Sequence, residues 1–421
     1  MNVLVIGSGG REHALCWKLA QGSRLTKLYC TPGNAGIAQV AECVPLDITD
    51  NDALVKLAGN LNIDLTIVGP EQPLVAGVVD AFNNAGLRIV GPTAAAAQLE
   101  GSKIFSKEFM TRHGIPTGNF VTCDSSAEAR DAISSGTFDY PIVIKADGLA
   151  AGKGVVIASN SSEAESAISE IMDQHKLGTA GDRVLIEECL VGREASYLLF
   201  SDGNAIRPMV AAQDYKRAFD NDKGPNTGGM GTFSMPRQLD PLIEDQILKE
   251  IAEPTINAAR AEGFPFRGVL FIGLMLTADG PRVLEYNVRF GDPETQSILK
   301  RLDSDLLDIF DAIETGTLDN VEPQWSNDVA VCIVAASEGY PGDYEKGKLI
   351  SGLEDAGSID GVTVFHAGTK RNGDDIVSSG GRVLGVTARS NDLKEARDLA
   401  YQAIRKIHFN GMFYRSDIAA Q

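Results

Sequence analysis

A short glycine-rich stretch that also carries two lysines has the residue types of a phosphate-binding loop. Residues 141–154 read PIVIKADGLAAGKG, an apolar strand that ends at Lys145 followed by a loop that contains Lys153. Glycines let the backbone lie close to a polyphosphate with its N–H groups turned inward, and lysines neutralise the phosphate charge. The glycines of the loop are Gly148, Gly152 and Gly154. Because a second apolar strand follows, where a P-loop has Ser or Thr and a helix, the pattern predicts a β-hairpin flap over the phosphates. The alternative is a hairpin tip with solvated lysines.

A second group of chemically capable residues lies on one strand in the second half of the chain. Residues 282–290 read RVLEYNVRF, and the alternation of side chains along a strand places Glu285, Asn287 and Arg289 on one face. A carboxylate and an amide oxygen can hold Mg²⁺ together with phosphate oxygens and water. Arg289 beyond them could stabilise charge on a transferring phosphoryl group. The alternative is a polar hairpin face without a ligand.

The apolar strand at 184–186 ends in a polar segment that suits a nucleoside. Cys189 and Leu190 follow closely, and the exposed backbone of such a strand end can pair with the edge of an adenine, next to Glu187. Glu194 lies further on, where its carboxylate could accept hydrogen bonds from ribose hydroxyls. The alternative is a charged loop between two strands.

A glycine-dense loop and one helical lysine complete the candidate groups. Residues 224–231 read GPNTGGMG, and Asp214, Lys216 and Asn226 lie beside or within this loop. Such a loop can wrap closely around a small anionic or amino-bearing ligand, whereas a merely flexible loop is the alternative. Lys103 lies in an expected helix and is either a further cation for the nucleotide or a solvated lysine.

Strands that alternate with helices must position these groups in the first part of the chain. Apolar strands are expected at four places: 2–6, 27–30, 64–68 and 87–90. Helical segments between them, including one at about 76–85, predict a doubly wound parallel sheet, and most of 93–113 is expected to be helical. The loops at the carboxyl ends of the strands, 7–10, 33–36 and 70–71, should then cluster on one edge of the sheet.

The first of these loops resembles the opening of a dinucleotide-binding fingerprint. Gly7 and Gly9 have the required spacing, but Glu12 stands where the third small residue belongs. The second strand also lacks an acidic residue at its end to hold a ribose. An NAD-dependent oxidoreductase is therefore disfavoured.

Composition and charge restrict the class of protein. The 421 residues include 44 glycines and carry a formal net charge of −19, which fits a globular protein of several packed units. A charge of this sign would repel nucleic acid and anionic membranes, so neither is expected as a partner. Six separated cysteines without a Cys-x-x-Cys pair suit free thiols in a reducing compartment. Since no stretch of about 20 apolar residues could cross a membrane, we expect a cytoplasmic protein.

Several motifs together resemble one family of enzymes. The lysine-bearing flap and the Glu-x-Asn-x-Arg strand look like those of the ATP-grasp ligases, and longer motifs resemble the glycinamide ribonucleotide synthetases, or phosphoribosylamine-glycine ligases. These motifs are GSGGREHA at 7–14, KADGLAAGKG at 145–154, GPNTGGMG at 224–231, NVRFGDPETQ at 287–296, FHAGT at 365–369, GGRVL at 380–384 and YRSDI at 414–418. The resemblance implies ATP-dependent ligation of glycine to 5-phosphoribosylamine through a glycyl phosphate, which gives glycinamide ribonucleotide in purine biosynthesis.

The resemblance also implies a role for each candidate residue. Lys145, Arg289 and Asp214 are expected to be catalytic. ATP with Mg²⁺ or Mn²⁺ is the expected cofactor, and Glu285 and Asn287 are the expected metal ligands. The expected nucleotide-binding residues are Lys103, Lys145, Gly148, Gly152, Lys153, Gly154, Glu187, Cys189, Leu190, Glu194, Lys216 and Asn226. The expected partners are the small molecules glycine and 5-phosphoribosylamine, with the protein a monomer or a weak homodimer.

The expected fold is multidomain, of the α/β and α+β classes. An N-terminal Rossmann-like substrate domain at 1–102, with the doubly wound sheet, precedes a central ATP-grasp domain at 103–122 and 190–325. The glycine-rich flap forms a subdomain at 123–189. Alternating strands and turns with a closing helix predict a C-terminal αβ cap at 326–421.

Other interpretations belong to different classes of protein. A related ATP-grasp carboxylase or formate-using ligase would share Lys145, Glu285 and Asn287, but not the motifs at 224–231 and 287–296 in this form. A non-catalytic nucleotide-binding protein would bind ATP without turnover. The complete set of lysines and metal ligands argues against that loss of function.

The sequence leaves two positions open for the phosphate of the ribosylamine. One is the helix start at Gly9 and Gly10, whose N–H groups can bind an anion, and the other is Pro293 with Glu294. His366, in the C-terminal part, is either a structural histidine or a functional one.

Overall fold

The N-terminal part of the computed structural model, which describes residues 1–149 and 154–420, is a five-stranded parallel sheet. Its strands are β1 (Asn2–Gly7), β2 (Lys27–Pro32), β3 (Glu42–Cys43), β4 (Leu65–Val68) and β5 (Ile89–Val90). Its helices are α1 (Gly10–Leu19), α2 (Asn51–Asn60), α3 (Glu71–Val75), α4 (Val78–Asn84), α5 (Ala94–Gly101) and α6 (Lys103–Arg112). The spatial order β3-β2-β1-β4-β5 winds outward from β1 in both directions, which confirms the predicted doubly wound sheet.

Of two segments predicted as helices, one is confirmed as a single helix and the other is divided. The helix expected at about 76–85 is α4 (Val78–Asn84), and Gly77 before it adopts a left-handed conformation with φ of 81° that separates it from the short helix α3. Most of 93–113 is helical as predicted, but Ser102 interrupts it in an extended conformation. Its hydroxyl accepts a backbone N–H of the first turn of α6, so Lys103 opens a new helix.

The predicted flap is a separate four-stranded antiparallel sheet. Its strands are β6 (Phe120–Cys123), β7 (Ile142–Ala146), β8 (Val155–Ala158) and β9 (Val184–Glu188), in the spatial order β6-β9-β7-β8. Its helices are α7 (Ser126–Ser134) and α8 (Ser161–Ile168), the second extended by a π-helical turn at Ser169–Asp173. The helices and the sheet share a hydrophobic core that belongs to this unit alone.

The central part of the chain contains a four-stranded antiparallel sheet. Eight strands follow the flap: β10 (Arg193–Asp202), β11 (Ile206–Pro208), β12 (Gln213–Asp214), β13 (Arg217–Phe219), β14 (Lys223–Asn226), β15 (Gly231–Ser234), β16 (Arg267–Thr277) and β17 (Gly280–Asn287). The helices are α9 (Pro241–Ile247), α10 (Glu253–Ala261), α11 (Glu294–Arg301) and α12 (Leu306–Thr315). The sheet has the order β11-β10-β16-β17, while β13 and β14 form a hairpin of their own.

The C-terminal part is a sheet that also includes strands from the central part. Its elements are β18 (Val329–Ser337), α13 (Leu353–Gly357), β19 (Val362–His366), β20 (Thr369–Asn372), β21 (Asp375–Ser378), β22 (Arg382–Ser390), α14 (Leu393–Ile404) and β23 (Met412–Phe413). The sheet order is β12-β15-β18-β22-β19, with β23 also paired to β18. The segment around the glycine-dense loop is therefore built onto the C-terminal sheet.

The N-terminal and central sheets are joined by shared hydrophobic cores. Leu4 and Phe82 of the first pack in the same cluster as Leu270 and Tyr286 of the second. Full burial of a side chain of this size contributes about 1.5–3 kcal/mol to the free energy of unfolding. The shared core therefore holds the N-terminal and central parts together as one packed unit. No helix within residues 1–149 and 154–420 is both long and apolar enough to cross a membrane.

Gly36, in the loop after β2, is enclosed by two histidines. A Cβ at this position would lie 2.4 Å from His13 Cε1 and 2.4 Å from His366 Cγ. We expect Gly36→Ala to lower the melting temperature measured by calorimetry, since overpacking typically costs about 1–3 kcal/mol. Gly59→Ala in α2 is the matched control, because no atom lies within 4 Å of its added Cβ. An unchanged melting temperature for Gly36→Ala would contradict this close contact.

Candidate active site

A buried carboxylate, that of Glu187 at the end of β9, binds two lysines. Its Oε1 lies 2.9 Å from Lys145 Nζ on β7, and its Oε2 lies 3.0 Å from Lys107 Nζ on α6. All three side chains are more than nine-tenths buried. Lys145 Nζ also donates to the carbonyl of Leu284 on β17, 3.1 Å away. The Lys145 ammonium is thus fixed where the flap meets the central sheet, and the Glu187 carboxylate is engaged by lysines.

A group of cations acts electrostatically on Glu285 on β17. Burial alone would raise the pKa of its carboxyl group, but the positive charges of Lys216, Lys145, Lys103 and Arg289 hold that pKa below its ordinary value. Lys145 belongs to the flap and Lys103 to α6. Lys216 lies in the loop after β12, and Arg289 follows β17. Such a concentration of positive charge around one carboxylate is suited to a polyphosphate with its metal ion.

Two protein oxygens on β17 fit a magnesium ion. Glu285 and Asn287 are two residues apart on one strand and therefore share a face, as the sequence predicted. Within the described part of the chain, no three His, Cys, Asp or Glu side chains cluster around one metal position. A site with one carboxylate and one amide oxygen fits Mg²⁺, which takes its remaining ligands from phosphate and water.

Arg289 follows β17 and binds two carboxylates of the N-terminal part. Its NH2 group donates to Glu100 Oε1 at 2.6 Å, and its Nε donates to Glu71 Oε2 at 3.1 Å. Asn287 Oδ1 accepts a hydrogen bond from the same NH2 group at 3.1 Å. The side chains of Asn287 and Arg289, which the sequence predicted to be neighbours, are therefore in contact. Burial would lower the pKa of Arg289, but Glu100 and Glu71 raise it above its ordinary value. Arg289 is therefore a charged link between the N-terminal and central sheets.

The start of the flap loop is tied to the start of α6. Asp147 Oδ1 accepts hydrogen bonds from Ser102 Oγ at 2.8 Å and from the N–H of Ile104 at 3.0 Å. Lys103 Nζ donates to the carbonyl of Gly148 at 3.1 Å, and burial lowers the pKa of Lys103. These bonds place Lys103 beside the flap loop, as a nucleotide-binding cation requires.

The end of the flap loop closes a β-hairpin, as predicted. The carbonyl of Gly154 accepts the N–H of Ala146 at 2.8 Å, and β7 pairs antiparallel with β8. Two predicted phosphate-binding residues, Gly152 and Lys153, lie outside the described residues.

The strand end proposed for the nucleoside has an unpaired backbone edge. The N–H and C=O groups of Cys189 and Leu190 make no backbone hydrogen bond with any residue in the described ranges. Glu194 on β10, which is half exposed, lies 2.7 Å from Lys216 Nζ. Burial would lower the pKa of Lys216, but Glu194 and Glu285 raise it. Lys216 thus binds Glu194 on β10 and is also attracted by Glu285 on β17.

Asp214 on β12 forms a buried carboxylate pair with Glu294. Burial and the negative charge of Glu294 raise the pKa of Asp214 well above its ordinary value. Asp214 Oδ1 is buried and has no hydrogen-bond partner in the described part of the chain, whereas Glu294 Oε1 lies 3.3 Å from Ser196 Oγ. A Cβ on Gly229 would lie 2.6 Å from Asp214 Oδ1, so the glycine loop packs on this carboxylate. Asn226 lies earlier in that loop, on β14.

Both positions considered for the ribose phosphate carry carboxylates. The N–H of Gly9 donates to Glu12 Oε2 at 2.5 Å, and Asp292 Oδ2 would lie 3.3 Å from a Cβ on Gly9. The second position contains Glu294 itself. Since a phosphate dianion is repelled by nearby carboxylates, the structure favours neither position.

The predicted clustering of loops at the strand ends is confirmed for the loops after β1 and β2. Asn34 Nδ2 donates to the carbonyls of Ser8 and His366, at 2.8 Å each. His13 Nδ1 accepts the N–H of His366 at 2.7 Å. Burial lowers the pKa of His366 to about 4, so its ring is neutral at physiological pH. His366 is a packed residue at the contact between the N-terminal and C-terminal parts.

Sequence reasoning missed two charged residues that anchor the site. Lys107 lies one helical turn after Lys103, and this spacing, which places both lysines on one face of α6, was the available signal. Glu100 had no such signal, because its partner Arg289 is 189 residues away in the chain.

The flap sheet meets the antiparallel central sheet at a cluster of buried lysines and carboxylates. This arrangement defines an ATP-grasp ligase. Family profiles match the whole arrangement: "Phosphoribosylglycinamide synthetase, N domain" at residues 1–100, "ATP-grasp (A) domain" at 101–295 and "C domain" at 330–421. The chain belongs to the phosphoribosylglycinamide synthetase family, which confirms the resemblance.

Full-length relatives agree with this family. The phosphoribosylamine--glycine ligase of Caldanaerobacter subterraneus subsp. tengcongensis is 48% identical over 420 residues, which cover 100% of both chains. The protein of the same name from Vibrio cholerae is 50% identical over 421 residues, covering 99% of this chain and 97% of that one. The crystal structure of the Thermotoga maritima phosphoribosylamine--glycine ligase is 33% identical, with a TM-score of 0.84 over 99% of this chain and 100% of that chain.

Lys107 should make nucleotide affinity depend on pH. Burial lowers the pKa of Lys107 to about 8, so above that pH Glu187 is left to bind Lys145 alone and offsets more of its charge. We expect the calorimetric affinity for ATP to fall as the pH rises through 8 in the wild type. Lys107→Met should bind ATP more weakly at neutral pH and lack this fall.

Lys249→Met is the control for this experiment, because Lys249 is 65% exposed and forms its salt bridge with Asp245, four residues earlier and outside the site. It should keep the wild-type pH profile. A Lys107→Met profile that matches the wild type would show that Lys107 does not act on Lys145 through Glu187.

Proposed function

We propose that the chain joins glycine to 5-phosphoribosylamine and converts ATP to ADP and phosphate in the same reaction. The observation that carries this proposal is the group of cations that acts on the Glu285 carboxylate, namely Lys103, Lys145, Lys216 and Arg289. The substrates are those in the name shared by its full-length relatives, phosphoribosylamine--glycine ligase. The product is then glycinamide ribonucleotide.

The ligation requires an activated glycine, because hydroxide is too poor a leaving group for a carboxylate to acylate an amine at neutral pH. A carboxylate oxygen of glycine attacks the γ-phosphorus of ATP, and the bond from that phosphorus to the bridging oxygen breaks. Glycyl phosphate and ADP result. The ribosylamine nitrogen then attacks the carbonyl carbon, phosphate leaves, and the nitrogen loses a proton. Neither step needs a covalent bond to the protein, so catalysis is positioning and charge neutralisation.

The cations that act on Glu285 would also act on the phosphates. Lys145 and Lys103 would neutralise the phosphate chain of ATP, and Arg289 would stabilise charge on the acyl phosphate. Glu285 and Asn287 would hold Mg²⁺, which when bound supplies further neutralisation of the phosphate oxygens. The carboxylates that pair with these cations keep the side chains in place before ATP arrives.

The nucleoside would lie along the strand end after β9. The backbone of Cys189 and Leu190 would pair with the adenine edge, and Glu194 would accept hydrogen bonds from the ribose. Lys216, 2.7 Å from Glu194, and Asn226 would also contact the nucleotide. The flap loop, with Gly148, Gly152, Lys153 and Gly154, would cover the phosphates.

The carboxylate pair of Asp214 and Glu294 would bind the amino group of glycine. Burial and mutual repulsion disfavour the ionised form of these two carboxyl groups, and a bound cation offsets both effects. The amino group of glycine is such a cation, because it is protonated at neutral pH. Bound as an ammonium ion, this nitrogen is not a nucleophile. The ribosylamine would then be the amine that attacks the activated carboxyl group.

The reaction is tested by ADP release from purified protein with ATP and Mg²⁺. Glycine and phosphoribosylamine, formed in place from ribose 5-phosphate and ammonia, are supplied separately and together. We expect ADP release to need both substrates and glycinamide ribonucleotide to accumulate. If the complete mixture releases no ADP while ATP still binds, the proposed substrates are wrong although the nucleotide site is right.

Glu285→Ala tests the metal ligand. We expect turnover to fall by about a hundredfold or more, because electrostatic stabilisation of the transferring phosphoryl group is lost, while the melting temperature stays near that of the wild type. Asp279→Ala, in the exposed turn of the same β16–β17 hairpin, is the control and should keep full activity. Near-normal ADP formation by Glu285→Ala would rule out the assignment of Glu285 to the metal.

A further inference from the structure

The segment that follows Lys216 depends on contacts from outside its own hairpin. β13 and β14 form an isolated two-stranded sheet, and such a hairpin is only marginally stable in water. Its tip contains two consecutive non-glycine residues in the left-handed region, Asn221 with φ of 57° and Asp222 with φ of 51°. Conformations of this kind persist only where surrounding structure holds them.

Arg415, near the end of the chain, makes the central contact with this hairpin. Only 1% of its side chain is exposed. Its NH1 group donates to the carbonyl of Arg217 at 3.0 Å and to Asp222 Oδ1 at 2.9 Å. Its Nε and NH2 groups both donate to the Asp417 carboxylate at 2.7 Å, which fixes the plane of the guanidinium. The same guanidinium lies over the Tyr215 ring, 5.0 Å from its centroid.

The two residues after Arg415 hold the tip of the hairpin. The N–H of Ser416 donates to Asp220 Oδ1 at 2.8 Å, and its hydroxyl donates to the other oxygen of the same carboxylate. The N–H of Asn221 donates to Asp417 Oδ2 at 2.8 Å. We call Arg415, Ser416 and Asp417 the C-terminal clasp.

Lys216 is the site residue whose position depends on the clasp. Its chain neighbours, Tyr215 and Arg217, are the two residues that Arg415 holds, and its ammonium must reach Glu194 at 2.7 Å. We propose that Arg415 is a positioning residue for the ligation reaction, which sets the place of Lys216 in the nucleotide site through the backbone of residues 215–217. This inference rests on the function proposed above for Lys216.

The test uses full-length variants that weaken the clasp, two of them at the hairpin tip and one at the buried Arg415 itself. Asp220→Asn and Asp222→Asn remove charge at the hairpin tip, where 72% of the Asp222 side chain is exposed, and Arg415→Lys removes the planar fork. We expect each to weaken calorimetric binding of ADP and of a non-hydrolysable ATP analogue by about tenfold, or about 1.4 kcal/mol. KM for ATP should rise more than kcat falls. Amide hydrogen exchange should accelerate in residues 215–227.

Arg405→Ala is the matched control. Arg405 belongs to the same C-terminal part and lies over the Tyr401 ring at 5.9 Å, and it makes no hydrogen bond to the described hairpin residues. It should keep the affinity, kinetics and exchange of the wild type.

A merely structural clasp gives a different pattern of results. In that case the variants would melt at lower temperature but bind nucleotide with wild-type affinity, and this outcome would overturn the proposal. Unchanged affinity and unchanged exchange in all three variants would also overturn it. If the wild type itself bound no nucleotide, the proposed function would fail, whereas faster exchange around Lys216 would still support the clasp as the device that holds this residue.

Discussion

The buried carboxylate of Glu187, shared by Lys145 and Lys107, is the interaction on which the rest of the site depends. An unpaired charge at this depth would destabilise the fold by several kcal/mol, so β7, β9 and α6 must pack in the arrangement that brings both lysines to the carboxylate. Lys145 then reaches the carbonyl of Leu284, the residue before Glu285. The position of the flap against β17 follows from this contact.

The same logic of paired charges extends across the site of a strongly acidic protein. Lys216 is held by Glu194, and Arg289 is held by Glu100 and Glu71. Each of these cations is thus held by a carboxylate. Pairing of this kind brings several buried cations together in a chain whose net charge is −19.

The C-terminal part supplies the framework of the glycine-dense loop. β12 and β15 complete its sheet, and the Arg382 guanidinium binds the carbonyl of Gly228 and donates to the carbonyl of Asp292 at 2.6 Å. The C-terminal clasp holds the adjoining hairpin. The domain boundaries expected from the sequence remain predictions, but strands from both sides of residue 325 lie in one sheet.

The sequence by itself determined the features that depend on local periodicity and contiguous motifs. The family, the doubly wound sheet, the flap hairpin between β7 and β8, and the shared face of Glu285 and Asn287 all follow from residues close together in the chain. The roles of individual site residues remain predictions. Only the tertiary structure decided which charges meet: Lys107 with Glu187, Arg289 with Glu100, and Asp214 with Glu294. All of these pairs join residues far apart in the chain and are set by the packing of whole elements. In the two pairs of opposite charge, the cost of burying an unpaired charge also selects the partner, and neither effect leaves a periodic signal.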